Sequence, residues 1–195
     1  MSKSLIIKTP NSVKEVLYLD GFPFSYRFDG KTGQFKNKRG RNIVAEEKFS
    51  IIPIGVECFN APDNYMGQDS YSGRPFVNLY FINEKGALSS IMFHSGSVHN
   101  LGKELRESFY DGVEFLFSRL TMTSEKKKSE EGHDFYVINF EIAKADPKEV
   151  SHLESIAAPI LENSIISNDT KHCEIVSFDK LDLDIPTNLL ETPES

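Results

Sequence analysis

The chain has no tryptophan, only two cysteines, and no apolar run approaching the roughly 20 residues that a membrane helix needs. Cys58 and Cys173 make no disulfide framework, and the expected setting is a reducing, cytoplasmic one. The first apolar stretch, Leu5-Ile6-Ile7, stops at Lys8, which is too short for a signal-peptide core. No membrane association is expected. There are no internal repeats, and no low-complexity block apart from Lys126-Lys127-Lys128 and its acidic neighbours.

Catalytic and metal-binding patterns are lacking too. Gly30-Lys31-Thr32 resembles the end of a phosphate-binding loop, but Ser25 stands where the earlier glycine is required. The next residues, Gly33-Gln34-Phe35, read as a strand and not a helix. The histidines (94, 99, 133, 152 and 172) form no i, i+4 pair, and none lies in a His-Glu-x-x-His arrangement. Ser95-Gly96-Ser97 could hold a nucleophile beside His94 or His99, but the surrounding residues are not Gly-x-Ser-x-Gly, and Ser97 reads as a helix cap. Acid pairs such as Glu46-Glu47 are too common to nominate a dyad. No catalysis, cofactor or metal is expected.

What the chain does have is ordinary globular bulk: 195 residues, 39% hydrophobic and 26% charged. Its charge is uneven. The net is −7, yet residues 1–56 carry ten Lys/Arg against five Asp/Glu. Residues 98–195 carry ten against twenty, and 169–195 alone hold seven acids against Lys171 and Lys180. An acidic total therefore does not exclude a polyanion partner, because local fields steer association.

The hydrophobic pattern is mainly one of strands. Residues 13–19 read as extended, although Val13-x-x-Val16-Leu17 also fits a helical turn. Phe24, Tyr26 and Phe28 alternate with polar residues, and Asp29-Gly30 then turns the chain toward Phe35, a hairpin signal. Residues 43–58 form a long extended candidate with a bend at Pro53 or Gly55. A polar, Gly-rich loop spans 60–75. Residues 76–82 and 87–93 make a hairpin about Asn83-Glu84-Lys85-Gly86. Val98, Leu101, Leu105 and Phe109 form the apolar stripe of a helix that Gly112 ends. Residues 113–123 and 134–143 make another strand pair, joined by a charged loop, 124–134. A last helix runs from Pro147 to about Asn163, limited or kinked by Pro159. Residues 164–195 read as a weakly ordered acidic tail.

Five strands with a helix between the third and fourth is the order that this pattern gives over 43–143, with an acidic segment after it. In that order the chain resembles single-stranded DNA-binding proteins of the OB-fold class, including phage-type ones. The resemblance implies an α+β, mainly β fold: an OB-like five-stranded Greek-key barrel. It divides the chain into an N-terminal strand and hairpin extension (1–42), the barrel with its C-terminal helix (43–163), and the tail (164–195). It implies single-stranded nucleic acid as ligand, DNA before RNA, and a protein partner recruited by the tail. Self-association into a homo-oligomer is left open.

Binding a single strand without sequence preference needs cations for phosphates and aromatic faces for bases. The basic run Lys36, Lys38, Arg39 and Arg41 precedes the first barrel strand. Tyr65, Tyr71 and Arg74 lie in or beside the loop after it, Tyr80 lies on the second strand, and Lys126, Lys127 and Lys128 lie in the last loop. These eleven residues are the candidate nucleic-acid contacts. The alternative is a β-rich protein-interaction or structural module, such as a phage or mobile-element accessory protein. Its sign would be dispersed cations, with Tyr65 and Tyr71 turned inward.

Overall fold

The computed structural model describes residues 5–9, 12–16, 22–37, 43–45, 47–130, 132–162 and 168–181. It is mainly β with two long helices. In chain order the strands are β1 (Leu5–Thr9), β2 (Ser12–Val16), β3 (Phe24–Asp29), β4 (Gln34–Asn37), β5 (Ile43–Ala45), β6 (Lys48–Ile51), β7 (Gly55–Asn60), β8 (Pro75–Ile82), β9 (Leu88–His94), β10 (Arg119–Lys128) and β11 (Asp134–Ala143). The helices are α1 (Gly96–Tyr110) and α2 (Pro147–Glu162).

The strands form a β1-β2 pair, a six-stranded sheet in the order β5-β4-β3-β9-β8-β7, and a three-stranded sheet in the order β11-β10-β6. Within the six-stranded sheet β3 runs parallel to β9 and the other pairs are antiparallel. The Asp-Gly hairpin forms as the aromatic alternation predicts, and through β3 it joins the same sheet as β7, β8 and β9. Neither large sheet closes on itself among the described residues.

Four local expectations need correction. The single long strand over 43–58 is three strands. Pro53 has no N–H to offer a ladder, and the chain changes sheets there: its carbonyl accepts from Phe117, while Ile54 N–H already donates to the Tyr80 carbonyl. The strand predicted at 113–123 starts only at Arg119, because 113–118 is irregular and Phe117 sits at φ 62°. It then runs on to Lys128, paired with Asp134, so the lysine triplet is on a strand and not in a loop. Ser97 is not the cap of α1; Ser95 holds that position, and the Ser97 hydroxyl accepts from Ile138 N–H at 3.0 Å. Finally, 168–181 of the predicted tail is packed on the body.

The Ser97 bond is one of a set. The outer edge of β11 has no strand neighbour among the described residues, and α1 meets it with side chains. Besides Ser97, Asn100 donates to the Ile138 carbonyl at 2.9 Å and Glu104 accepts from Ile142 N–H at 3.0 Å. The β3–β4 turn adds Gly30, whose carbonyl accepts from Tyr136 N–H. An open edge is thereby covered, which removes a template for further strand addition.

The core lies between the sheets and under α1. Phe35, Leu79, Ile91, Leu101, Leu120 and Met122 are fully buried there. Each such side chain contributes about 1.5–3 kcal/mol relative to exposure. β8 alternates as predicted, with Val77, Leu79 and Phe81 on one face. Its other face, Asn78 and Tyr80, is buried as well.

That second face is covered by α2, whose Ile156 and Ala157 pack with Tyr80, and by 168–181. Glu57 on β7 accepts three hydrogen bonds on one carboxyl oxygen: from Tyr80 Oη at 2.6 Å, Thr170 Oγ1 at 2.9 Å and Asn78 Nδ2 at 3.2 Å. Val176 N–H donates to the Cys58 carbonyl, extending the β7 edge by one bridge. Burial, and then the Glu57 carboxyl, push the Cys58 thiol up to about 11. The Phe178 ring lies on α1 at Gly102, where a Cβ would meet it at 2.6 Å, and Leu181 is buried in the main core. Lacking a side chain, Gly102 lets this segment lie flat on the helix.

Candidate ligand-binding cleft

The two sheets diverge beside α2, and the gap is a cleft of about 890 Å³. That is within the roughly 300–1,000 Å³ typical of ligand sites. One wall is β3 with Phe24 and Tyr26. Another is β6 with Phe49 to Ile51. The third is the face of α2 given by Glu149, His152, Leu153 and Ile156, spaced i, i+3, i+4, i+7. The β8–β9 turn, Asn37 and Val44 complete the lining.

The aromatic alternation that predicts β3 also builds the cleft. Phe24, Tyr26 and Phe28 share one face. Phe28 packs toward Phe35 in the core with ring centres 5.1 Å apart. Tyr26 lies 5.4 Å from both Phe49 and Phe81, and its hydroxyl accepts from Asn83 Nδ2 at 3.2 Å. Burial pushes the Tyr26 phenol up. Phe24, edge-on to Tyr26, is 48% exposed. The stripe therefore runs from core to solvent and ends in an open ring.

The charged groups of the lining balance. Arg119 and Lys85 stand against Glu149 and Glu84, and Arg119 Nη2 meets Glu149 Oε2 at 2.5 Å. His152 lies one turn along α2 from Glu149. Among the described residues no group of three or more His, Cys, Asp or Glu is placed to hold a metal ion.

The sequence-derived candidates are not gathered in this cleft. Lys38, Arg39 and Arg41 lie outside the described residues, in the connection between Asn37 and Ile43. Lys36 is mostly buried against Asp29, with Nζ at 2.7 Å from Oδ2. That hydrogen bond holds the Asp29 carboxyl down at about 2. Tyr65 and Tyr80 are only 7% and 6% exposed, so neither offers a ring face to a base. The Tyr65 hydroxyl donates to the Asp169 carbonyl at 3.1 Å, and that of Tyr80 to Glu57. Tyr71 is half-buried, its ring 5.5 Å from Phe76 and 5.0 Å from His94. Lys126 pairs with Asp134 and Lys127 with Glu125, while Lys128 is exposed at the strand end. Arg74 is exposed and reaches the Ser95 hydroxyl at 3.5 Å.

No family model matches this chain, and no curated protein does. The cleft must be read from its own chemistry.

The residues that sequence reasoning missed are Phe24, Tyr26, Phe49 and Arg119. The signal for the first two is present as alternation, but alternation names a face and not the depth at which each ring sits. Phe49 and Arg119 reach the cleft only because β6 pairs with β10, a contact between residues about seventy apart.

Ser95, which follows β9, stands apart from the cleft lining. It adopts φ 55°, ψ −129°, a conformation that costs a side-chain-bearing residue about 1–3 kcal/mol. Its hydroxyl meets His94 Nδ1 at 2.8 Å. Burial, and then the Arg74 charge, hold the His94 pKa below its usual value. Ser95→Gly removes the strain and forfeits these half-exposed bonds, each worth about 0.5–1.5 kcal/mol. The two terms nearly cancel, so stability within about 1 kcal/mol of wild type is expected, read as a melting temperature within about 2–4 °C of it. A drop beyond that range would mean that the hydroxyl's bonds outweigh the strain.

Proposed function

We propose that the protein is a non-catalytic binding protein for single-stranded nucleic acid, DNA before RNA, and that the strand lies across the aromatic cleft. One observation carries this reading: Asn37 and Val44, which bracket the basic connection containing Lys38, Arg39 and Arg41, both line the cleft that holds Phe24, Tyr26 and Phe49. Cations beside stacking rings are the two requirements for holding a single strand. The stacking role thus passes from Tyr65, Tyr71 and Tyr80 to the rings of β3 and β6. The strand pairings β6–β10, β7–β8, β8–β9 and β10–β11 support an OB-like core, a fold that is itself only partly closed; β9 pairs with β3 and not with β11. In this reading α1 bridges the gap beside β11.

The reading is tested by anisotropy of a labelled 30-nucleotide DNA strand, titrated at several salt concentrations. Removing two phosphate contacts from a single strand lowers the salt slope by about 1.4. Arg39→Ala with Arg41→Ala is expected to show that decrease together with weaker binding. An unchanged slope removes the basic connection from the interface.

A second reading has its own support. Tyr65 and Tyr80 are turned inward and Tyr71 is half-buried, while most described candidate cations are paired with acids or scattered. Those are the marks of a β-rich protein-interaction module, for which the cleft would take an apolar side chain. Absence of binding to the labelled strand at low salt, with the chain folded, selects this reading.

A further inference from the structure

We propose that Arg119 is the phosphate contact inside the cleft and that Glu149 is a built-in competitor, occupying the guanidinium whenever no strand is bound. The inference rests on the nucleic-acid reading and assigns that site a residue and a control that the basic connection does not supply.

Arg119 opens β10 and projects into a cleft floored by Tyr26, Phe49 and Phe81. A guanidinium is a planar fork of donors that fits carboxylate and phosphate oxygens alike. Glu149 Oε2, at 2.5 Å from Arg119 Nη2, holds the place that a phosphate oxygen would take.

The pair is weak enough to exchange. Both side chains are more than two-fifths exposed, and ion pairs of that kind contribute little to stability. Glu149 also lies in the first turn of α2, where the helix dipole favours a carboxylate without any cation beside it. Parting from Arg119 therefore costs Glu149 less than it would elsewhere. The pair joins β10 to α2, so its exchange also frees one wall of the cleft from another.

The arrangement has a signature that plain charge does not. If Glu149 acts by holding Arg119, its removal helps only when Arg119 is present. Four proteins are compared by anisotropy with the 30-nucleotide strand at fixed salt: wild type, Glu149→Gln, Arg119→Ala and the double variant. Glu149→Gln is expected to bind about two- to fivefold more tightly. Arg119→Ala is expected to bind more weakly, with a salt slope lower by about 0.7. The double variant is expected to match Arg119→Ala, which is a coupling between the two sites. Arg119→Lys, which keeps charge and loses the fork, serves if Arg119→Ala does not fold, and should fall between wild type and Arg119→Ala.

Unchanged binding by Glu149→Gln overturns the inference and leaves the nucleic-acid reading standing. So does an equal gain with and without Arg119, which would make Glu149 merely one negative charge among several. No binding by any of the four at low salt overturns the nucleic-acid reading, and this inference with it.

Discussion

Glu57→Ala is expected to lower the melting temperature by about 10 °C. The substitution removes the common acceptor of Tyr80, Thr170 and Asn78 from a site where all three are buried. Losing the hydrogen bond of a buried donor to a charged acceptor costs up to about 1–3 kcal/mol. Two effects reduce the sum: Thr170 lies on a segment that can move away and be solvated, and small side chains leave room for water. A loss of about 3–5 kcal/mol remains, which is large against a total of about 5–15. At this chain length each kcal/mol corresponds to about 2–4 °C. Thr170→Val is the control that touches only the 168–181 partner, and it should cost about 1–2 kcal/mol. If Glu57→Ala leaves the melting temperature within about 2 °C of wild type, the smallest shift expected for 1 kcal/mol, the carboxyl is not what fastens 168–181 to β7.

The same cluster shows what the sequence could and could not reveal. Glu57, Asn78 and Tyr80 are visible as polar residues on strands, and an alternating strand places such residues outward. They are inside because residues far along the chain, Ile156 and Ala157 of α2 and Thr170 beyond it, lie over them. Nothing in 168–181 announces this. Its apolar residues are sparse, it forms one β-bridge and a single turn of 3-10 helix, and its contacts are individually anchored. Local pattern does reach the hairpins, α1, α2 and the strand faces, because each depends on neighbours a few residues apart. It fails at Pro53, where a break in one strand is a change of sheet, and at Lys126 to Lys128. There the charge suggests a loop, and cross-strand partners, Asp134 among them, keep the ladder going.

The candidate site obeys the same rule. Composition supplies the right ingredients, aromatic rings and a basic run. It does not sort rings by depth, and the three chosen tyrosines, two in a loop and one on the outer face of a strand, prove to be buried or half-buried. The open ring, Phe24, belongs to a hairpin whose aromatic residues read naturally as core. What distinguishes it from Phe28, four residues on, is only how far along the strand the second sheet extends.

Phe24→Ala is accordingly expected to weaken binding of the 30-nucleotide strand about tenfold, and up to a hundredfold. Stacking of one base on an aromatic side chain is worth about 1–3 kcal/mol, and about 1.4 kcal/mol is one factor of ten. The ring is 48% exposed and edge-on to Tyr26, so its loss leaves the core packing of Phe28 and Phe35 intact. A surface substitution of this kind should change stability by about 0.5 kcal/mol or less. Tyr71→Ala supplies the contrast. Its ring rests on Phe76 and His94, away from the cleft lining, and its removal should cost stability while leaving affinity unchanged. The reverse pattern, with Phe24→Ala neutral and Tyr71→Ala weak in binding, would move the nucleic-acid path to the loop over 60–75. If neither substitution alters the affinity of a strand that does bind, stacking is not the source of that affinity. The aromatic cleft would then be left to an apolar protein partner, for which Phe24, exposed at its mouth, is the first contact to remove.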